Sequence, residues 1–87
     1  MSEIRITQEQ INRIMDEAEW EVMTLWGKCT VVACKLPNGF TLTESSGCVD
    51  PKNYDARLGE EICRGKIEDQ IWKLVGYALQ ARLGDIQ

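Results

Sequence analysis

Histidine is absent from the 87 residues. Without it the commonest general base is missing, and so are the Ser/His and Cys/His nucleophile pairs and every mixed Cys/His zinc site. No apolar run is long enough to span a bilayer, and the start MSEIRITQEQ lacks the basic and apolar regions of a secretion signal. The expectation is a soluble protein of the cytoplasm. The four cysteines, Cys29, Cys34, Cys48 and Cys63, include no C-x-x-C knuckle. In a chain without a secretory signal they read as reduced thiols rather than as disulfides or metal ligands, and at least two of them read as small packed hydrophobes. No metal and no cofactor is expected. A chain of this length builds one domain, residues 1–87, with one small core, so self-association, by default as a dimer, is a natural source of further stability.

Basic charge is also scarce. Ten Lys and Arg against fourteen Asp and Glu give a net charge of -4, which disfavours nucleic acid and anionic membranes as partners. The balance shifts along the chain. Residues 1–26 hold six acids and two bases, residues 27–54 two acids and three bases, and residues 55–87 six acids and five bases. Only the middle is slightly positive.

The chain divides into three segments. Thr7 with Gln10 matches a capping box, and Ile6 with Ile11 a hydrophobic staple. Ile11, Ile14, Met15, Ala18, Val22, Leu25 and Trp26 then recur at helical spacing, which predicts an amphipathic helix over 8–26, stopped by Gly27. Asp16, Glu17, Glu19 and Glu21 fall largely off that stripe and read as a solvated acidic face. Trp20 falls off it too, and an exposed Trp among acids marks Trp20, Glu17 and Glu21 as a candidate protein-docking surface.

From Lys28 to Leu42 the period changes to two. CTVVACKL and FTLT flank Pro37-Asn38-Gly39, the pattern of a β-hairpin with a type I turn and a glycine bulge that brings Leu36 near Phe40. Val32, Cys34, Leu36, Phe40 and Leu42 are predicted to share the core face, while Cys29 and Cys34 point to opposite faces. Glu44 to Cys48 reads as a polar linker, in which Ser45, Ser46 and Gly47 offer at most a small anion nest. Asp50-Pro51 opens a short turn, and Asp55 can cap the helical segment after it.

The third segment, Asp55 to Leu83, carries a broad apolar stripe over Ile67, Ile71, Trp72, Leu74, Val75, Ala78, Leu79 and Leu83, with Gly59, Gly65 and Gly76 inside it. One long helix, or two pieces with a bend near Gly65, fits; close approach of another backbone is the second reason for such glycines. Gly84 ends it. The expected fold is α+β: an N-terminal helix and a long C-terminal helix on one face of a hairpin.

Lys28-Cys29-Thr30, Leu36-Pro37-Asn38-Gly39-Phe40, Cys48-Val49-Asp50-Pro51, Asn53-Tyr54-Asp55, Gly59, and Trp72 with Leu74, Gly76 and Tyr77 together resemble the gp forty-nine/sixty-six family of small tailed-phage proteins. The resemblance implies a phage accessory protein made in an infected bacterium. It brings no activity and no site residues with it.

Each catalytic constellation lacks a necessary residue, so the sequence points to binding rather than to an enzyme. One expectation is docking on a host protein through the acidic, Trp-bearing surface, to counter host defence or redirect host metabolism. The alternative is a sponge that holds a nucleotide-type immune signal between subunits, with Lys28, Arg57, Arg64 or Lys66 on phosphate and an aromatic such as Tyr54 on the base. Arg57 and Arg64, seven positions apart, would share a helical face.

Overall fold

A computed structural model describes residues 4–84. The order is α1 (Gln8–Glu17), β1 (Glu19–Leu25), β2 (Cys29–Lys35), β3 (Thr41–Gly47), a 3-10 turn (Pro51–Asn53) and α2 (Ala56–Arg82). The fold class is α+β as the sequence predicts, with one change of substance. The first helix is short, and residues 19–25, expected to continue it, form an extra strand.

α1 starts as its sequence dictates. The Gln10 amide donates to Thr7 Oγ1 at 3.2 Å and the Thr7 amide to Gln10 Oε1 at 2.8 Å. The helix ends because Ala18 is extended, at φ -78° and ψ 160°. From there β1 runs antiparallel to β2, with Glu19 opposite Lys35, Val22 opposite Val32 and Leu25 opposite Cys29. Trp26, Gly27 and Lys28 join the two strands; Trp26 and Gly27 stand at φ 53° and 64°, and the Lys28 amide donates to the Leu25 carbonyl at 3.1 Å. Two central residues at positive φ define the type I′ turn, whose twist matches that of the paired strands. Gly27 therefore serves a hairpin and not a helix end.

The second hairpin agrees with its sequence. The Gly39 amide donates to the Leu36 carbonyl and the Leu36 amide to the Phe40 carbonyl, both at 2.8 Å, with Gly39 at φ 95°. Beyond it, β3 continues through the segment read as a linker: Glu44, Ser45, Ser46 and Gly47 pair with Val32, Val31, Thr30 and Cys29. Ladder pairing replaces the expected linker. The result is a three-stranded sheet in the order β1-β2-β3.

α2 is continuous over 27 residues and lies across β2 and β3. It buries Gly59, Cys63, Ile67 and Ile71, which repeat every fourth residue, against Val32, Cys34, Leu36 and Leu42 from the sheet and Ile11 from α1. Phe40, expected in this core, is 53% exposed: it pairs with Leu36 at the end of the ladder and lines an open groove at the margin of the core. Gly59 does admit a close approach, though of a side chain and not of a backbone: a Cβ there would lie 2.9 Å from Thr30 Cβ. At Gly65 an added Cβ would meet only open space, so that glycine has no packing reason. α2 spans about 40 Å at 1.5 Å per residue against about 23 Å for a strand of seven, so its C-terminal part overhangs the sheet. The described residues extend 54 Å along one axis and 23 Å along the others.

Candidate functional site

The β1–β2 turn, the end of β3 and the start of α2 meet at one pole. Thr30, fully buried on β2, shares a hydrogen bond of 2.7 Å with the Tyr54 hydroxyl, which also meets Thr24 Oγ1 at 2.8 Å. Tyr54 thus ties the segment before α2 to the first two strands. Asp50 Oδ1 accepts from the Lys52 amide at 2.9 Å, and Asp55 Oδ1 accepts from the Arg57 and Leu58 amides at 3.0 and 3.2 Å. Both carboxylates act as caps, as their spacing predicts, and both sit where a helix start favours negative charge.

Above this base stand the exposed groups. Trp26 is 83% exposed at the tip of the turn. A β-carbon in the left-handed region costs roughly 1–2 kcal/mol, and a bulky residue there is a true outlier. Val49, 94% exposed, belongs to the same pole, because its carbonyl accepts from Lys28 Nζ at 3.1 Å. Lys52 and Arg57 are exposed there as well. The ammonium of Lys28 has three donors and spends one on Val49, leaving two to face solvent or a ligand.

Of the five residues expected to hold an anion, Lys28, Tyr54 and Arg57 belong to the segments that meet at this pole, while Arg64 and Lys66 lie farther along α2 on different flanks. The Arg64 guanidinium sits 4.1 Å from the centroid of the Trp20 ring and 3.5 Å from Glu60. Lys66 Nζ donates to the Ser45 carbonyl at 3.2 Å. Both have structural partners.

The expected docking trio is also redistributed. Trp20 is on β1, not on a helix, and it is half-buried against the core with its indole N–H donating to the Met15 carbonyl at 3.0 Å. The premise that it stands off the core stripe of a helix is corrected by that placement. Glu17 ends α1 and Glu21 lies on the outer face of β1; both are exposed, at the end of the molecule away from Trp26. The exposed indole therefore sits apart from Glu17 and Glu21, at the pole that carries Lys28, Lys52 and Arg57 together with the capping carboxylates Asp50 and Asp55. Helical spacing put Trp26 on a buried stripe, and so the sequence reading missed it. The usable signal was Trp-Gly between two β-prone runs, a turn pattern whose second position is the glycine of a type I′ turn.

At the other pole a groove of about 400 Å³ opens between α1, the Leu36–Phe40 turn and α2, lined by apolar groups including Ile14, Phe40, Leu74 and Val75. Two thiols are sealed inside the core: burial raises Cys34 and Cys63 above the ordinary thiol range. Cys29 and Cys48 are half-buried, and all four cysteines are free. No group of three or more Cys, Asp or Glu among the described residues is arranged to hold a metal ion. No helix there is long and apolar enough to cross a membrane.

The model of the Phage protein (N4 Gp49/phage Sf6 gene 66) family matches residues 6–83. No curated protein and no solved structure gives a match. The match spans α1 to the end of α2, and the chain belongs to this phage protein family.

Proposed function

We propose that this member of a phage protein family works by binding, and that it sequesters an anionic, nucleotide-type signalling molecule of the infected cell at the pole that carries Trp26. The observation that supports this most is the indole itself, 83% exposed on a backbone at φ 53°. Folding alone gains little from such a residue, since asparagine or glycine would form the turn with less strain. A planar base gains from it directly: stacking on an aromatic face is worth about 1–3 kcal/mol. Lys28, two residues on from Trp26, and the exposed Lys52 and Arg57 in the segments that meet at the same pole would supply cations for phosphate. Sequestration needs no general base, in keeping with a chain that has no histidine.

A second reading, docking on a host protein, is favoured by a different observation. The outer face of the sheet has no covering element among the described residues and carries Glu21 and Met23 beside Val31 and Ala33. Trp26 would then act as the anchor of a protein interface.

One experiment separates the two. The tagged protein is purified from its bacterial host, and the eluate is analysed for co-purifying protein and for small molecules released by heat. A released nucleotide-type compound, lost from Trp26→Asn and Lys28→Gln, supports sequestration. A stoichiometric host protein lost from Trp26→Asn supports docking. An eluate with neither refutes both readings.

A further inference from the structure

We infer that β1 is a self-association edge: a second copy of the chain adds its own β1 antiparallel, about a two-fold axis at Val22, to make one continuous sheet of two protomers.

The two edges of the sheet are not alike. β3 lies under α2, and there the Ser45 carbonyl takes Lys66 Nζ at 3.2 Å and the Glu44 carboxylate takes the Gln70 amide. A helix that covers a sheet edge is a recognised guard against further pairing. β1 has no comparable guard: α2 packs mainly on β2 and β3, and no strand lies beyond β1 among the described residues. Apolar side chains emerge on both of its faces, with Val22 at 43% and Met23 at 52% exposure.

The order of residues in the strand selects the occupant. β1 reads EWEVMTL, seven residues with Val22 in the middle, so a two-fold axis at Val22 is the one that pairs its whole length. That register sets Glu19 opposite Leu25 and Glu21 opposite Met23 of the other copy. Acids meet apolar groups, and the apolar half of one strand covers the acidic half of its mate. A parallel pairing in register would instead set Glu21 against Glu21, and like charges directly opposite destabilise a sheet. Glu19 is already compensated by Lys35 Nζ at 3.3 Å. The strand is thus complementary to itself in the antiparallel sense, which is what an isologous interface requires. In the joined sheet Leu25, and Trp26 after it, lie beside the start of the other copy's β1.

At the axis Val22 faces its own symmetry mate, which gives a charge-swap test. Light scattering on the full chain at tens of micromolar is expected to give twice the 9.9 kDa chain mass. Val22→Lys and Val22→Glu, at an exposed position, are each expected to give the single-chain mass with an unchanged far-ultraviolet spectrum. An equimolar mixture of the two variants is expected to return to the doubled mass. A wild-type monomer, a Val22→Lys protein that stays dimeric, or a mixture that fails to recombine would each overturn the assignment. Heat release of small molecules from the Val22→Lys protein is read separately, so failure of this interface and failure of the ligand reading are distinguishable.

Discussion

Replacing Trp26 by asparagine should make the protein more stable and less functional at once. The backbone at Trp26 sits at φ 53°, where an ordinary side chain costs roughly 1–2 kcal/mol; asparagine bears less of that cost because its short polar side chain tolerates the left-handed region. Trp26→Asn also creates Asn-Gly, the dipeptide most favoured in a type I′ turn. Against this stands the lost burial of the indole, which is small because the residue is 83% exposed. The net expectation is about 1 kcal/mol of added stability. For a domain of 60–100 residues that is about 4–8 °C in Tm. Thermal melts followed by circular dichroism measure it. Trp26→Gly serves as a comparison: it relieves the same strain but enlarges the entropy of the unfolded chain, so its Tm should fall below that of Trp26→Asn. In the co-purification assay both variants should lose the bound molecule. A melting point lowered by Trp26→Asn would mean that the indole holds the fold, and the recognition role would have to be given up.

Other positions give sharper contrasts. Gly59→Ala drives a methyl group into Thr30, so despite the gain in helix propensity it should cost about 1–2 kcal/mol in a urea titration, whereas Gly65→Ala, facing open space, should add about 1 kcal/mol. Tyr54→Phe leaves the hydroxyl of fully buried Thr30 without its partner, and a loss of about 1–3 kcal/mol is expected; an unchanged unfolding midpoint would show that the bond carries no stability. Trp20→Ala and Trp72→Ala should both lower stability, by about 3 kcal/mol each, since both rings pack on the core; an undiminished Tm for Trp20→Ala would restore the surface role that burial argues against. Cys34 and Cys63 have folded-state thiols raised above the ordinary value of 9.0, chiefly by burial, so the neutral form is favoured in the fold. Their contribution is fully present below the unfolded thiol range and is lost as pH rises through the higher folded values, so melts taken into that alkaline range should show falling stability. At neutral pH a thiol reagent should reach Cys29 and Cys48 first, and equal labelling of all four would contradict the sealed core.

How far the sequence carried the fold is best judged at residues 18–26. The helix start was legible because capping is local: Thr7 and Gln10 need only each other. Ala18, Val22, Leu25 and Trp26 satisfy helical spacing, but Trp20, Val22 and Thr24 satisfy the strand period equally well, and nothing local breaks the tie. What breaks it is pairing with β2, a contact between residues as far apart as Glu19 and Lys35 that no local pattern reports. The same omission hid β3 beyond Thr43, where Glu44, Ser45 and Ser46 are poor strand formers held by their partners on β2 and by Lys66 and Gln70 of α2. The cost of that tie falls on the candidate site. A residue read as helical is assigned to the buried stripe, and a turn residue is assigned to the surface, so one misread period moved Trp26 from the exposed tip into the core and Trp20 from the core to the surface. Lys28, Tyr54 and Arg57 remained candidates under either reading, because cations and aromatics flanking caps need no knowledge of the strand order. The strain at Trp26 was beyond any sequence pattern. The φ of 53° comes from closing the tight turn between the paired strands β1 and β2, and it is that strain which turns an exposed aromatic, common enough on protein surfaces, into an argument for a ligand.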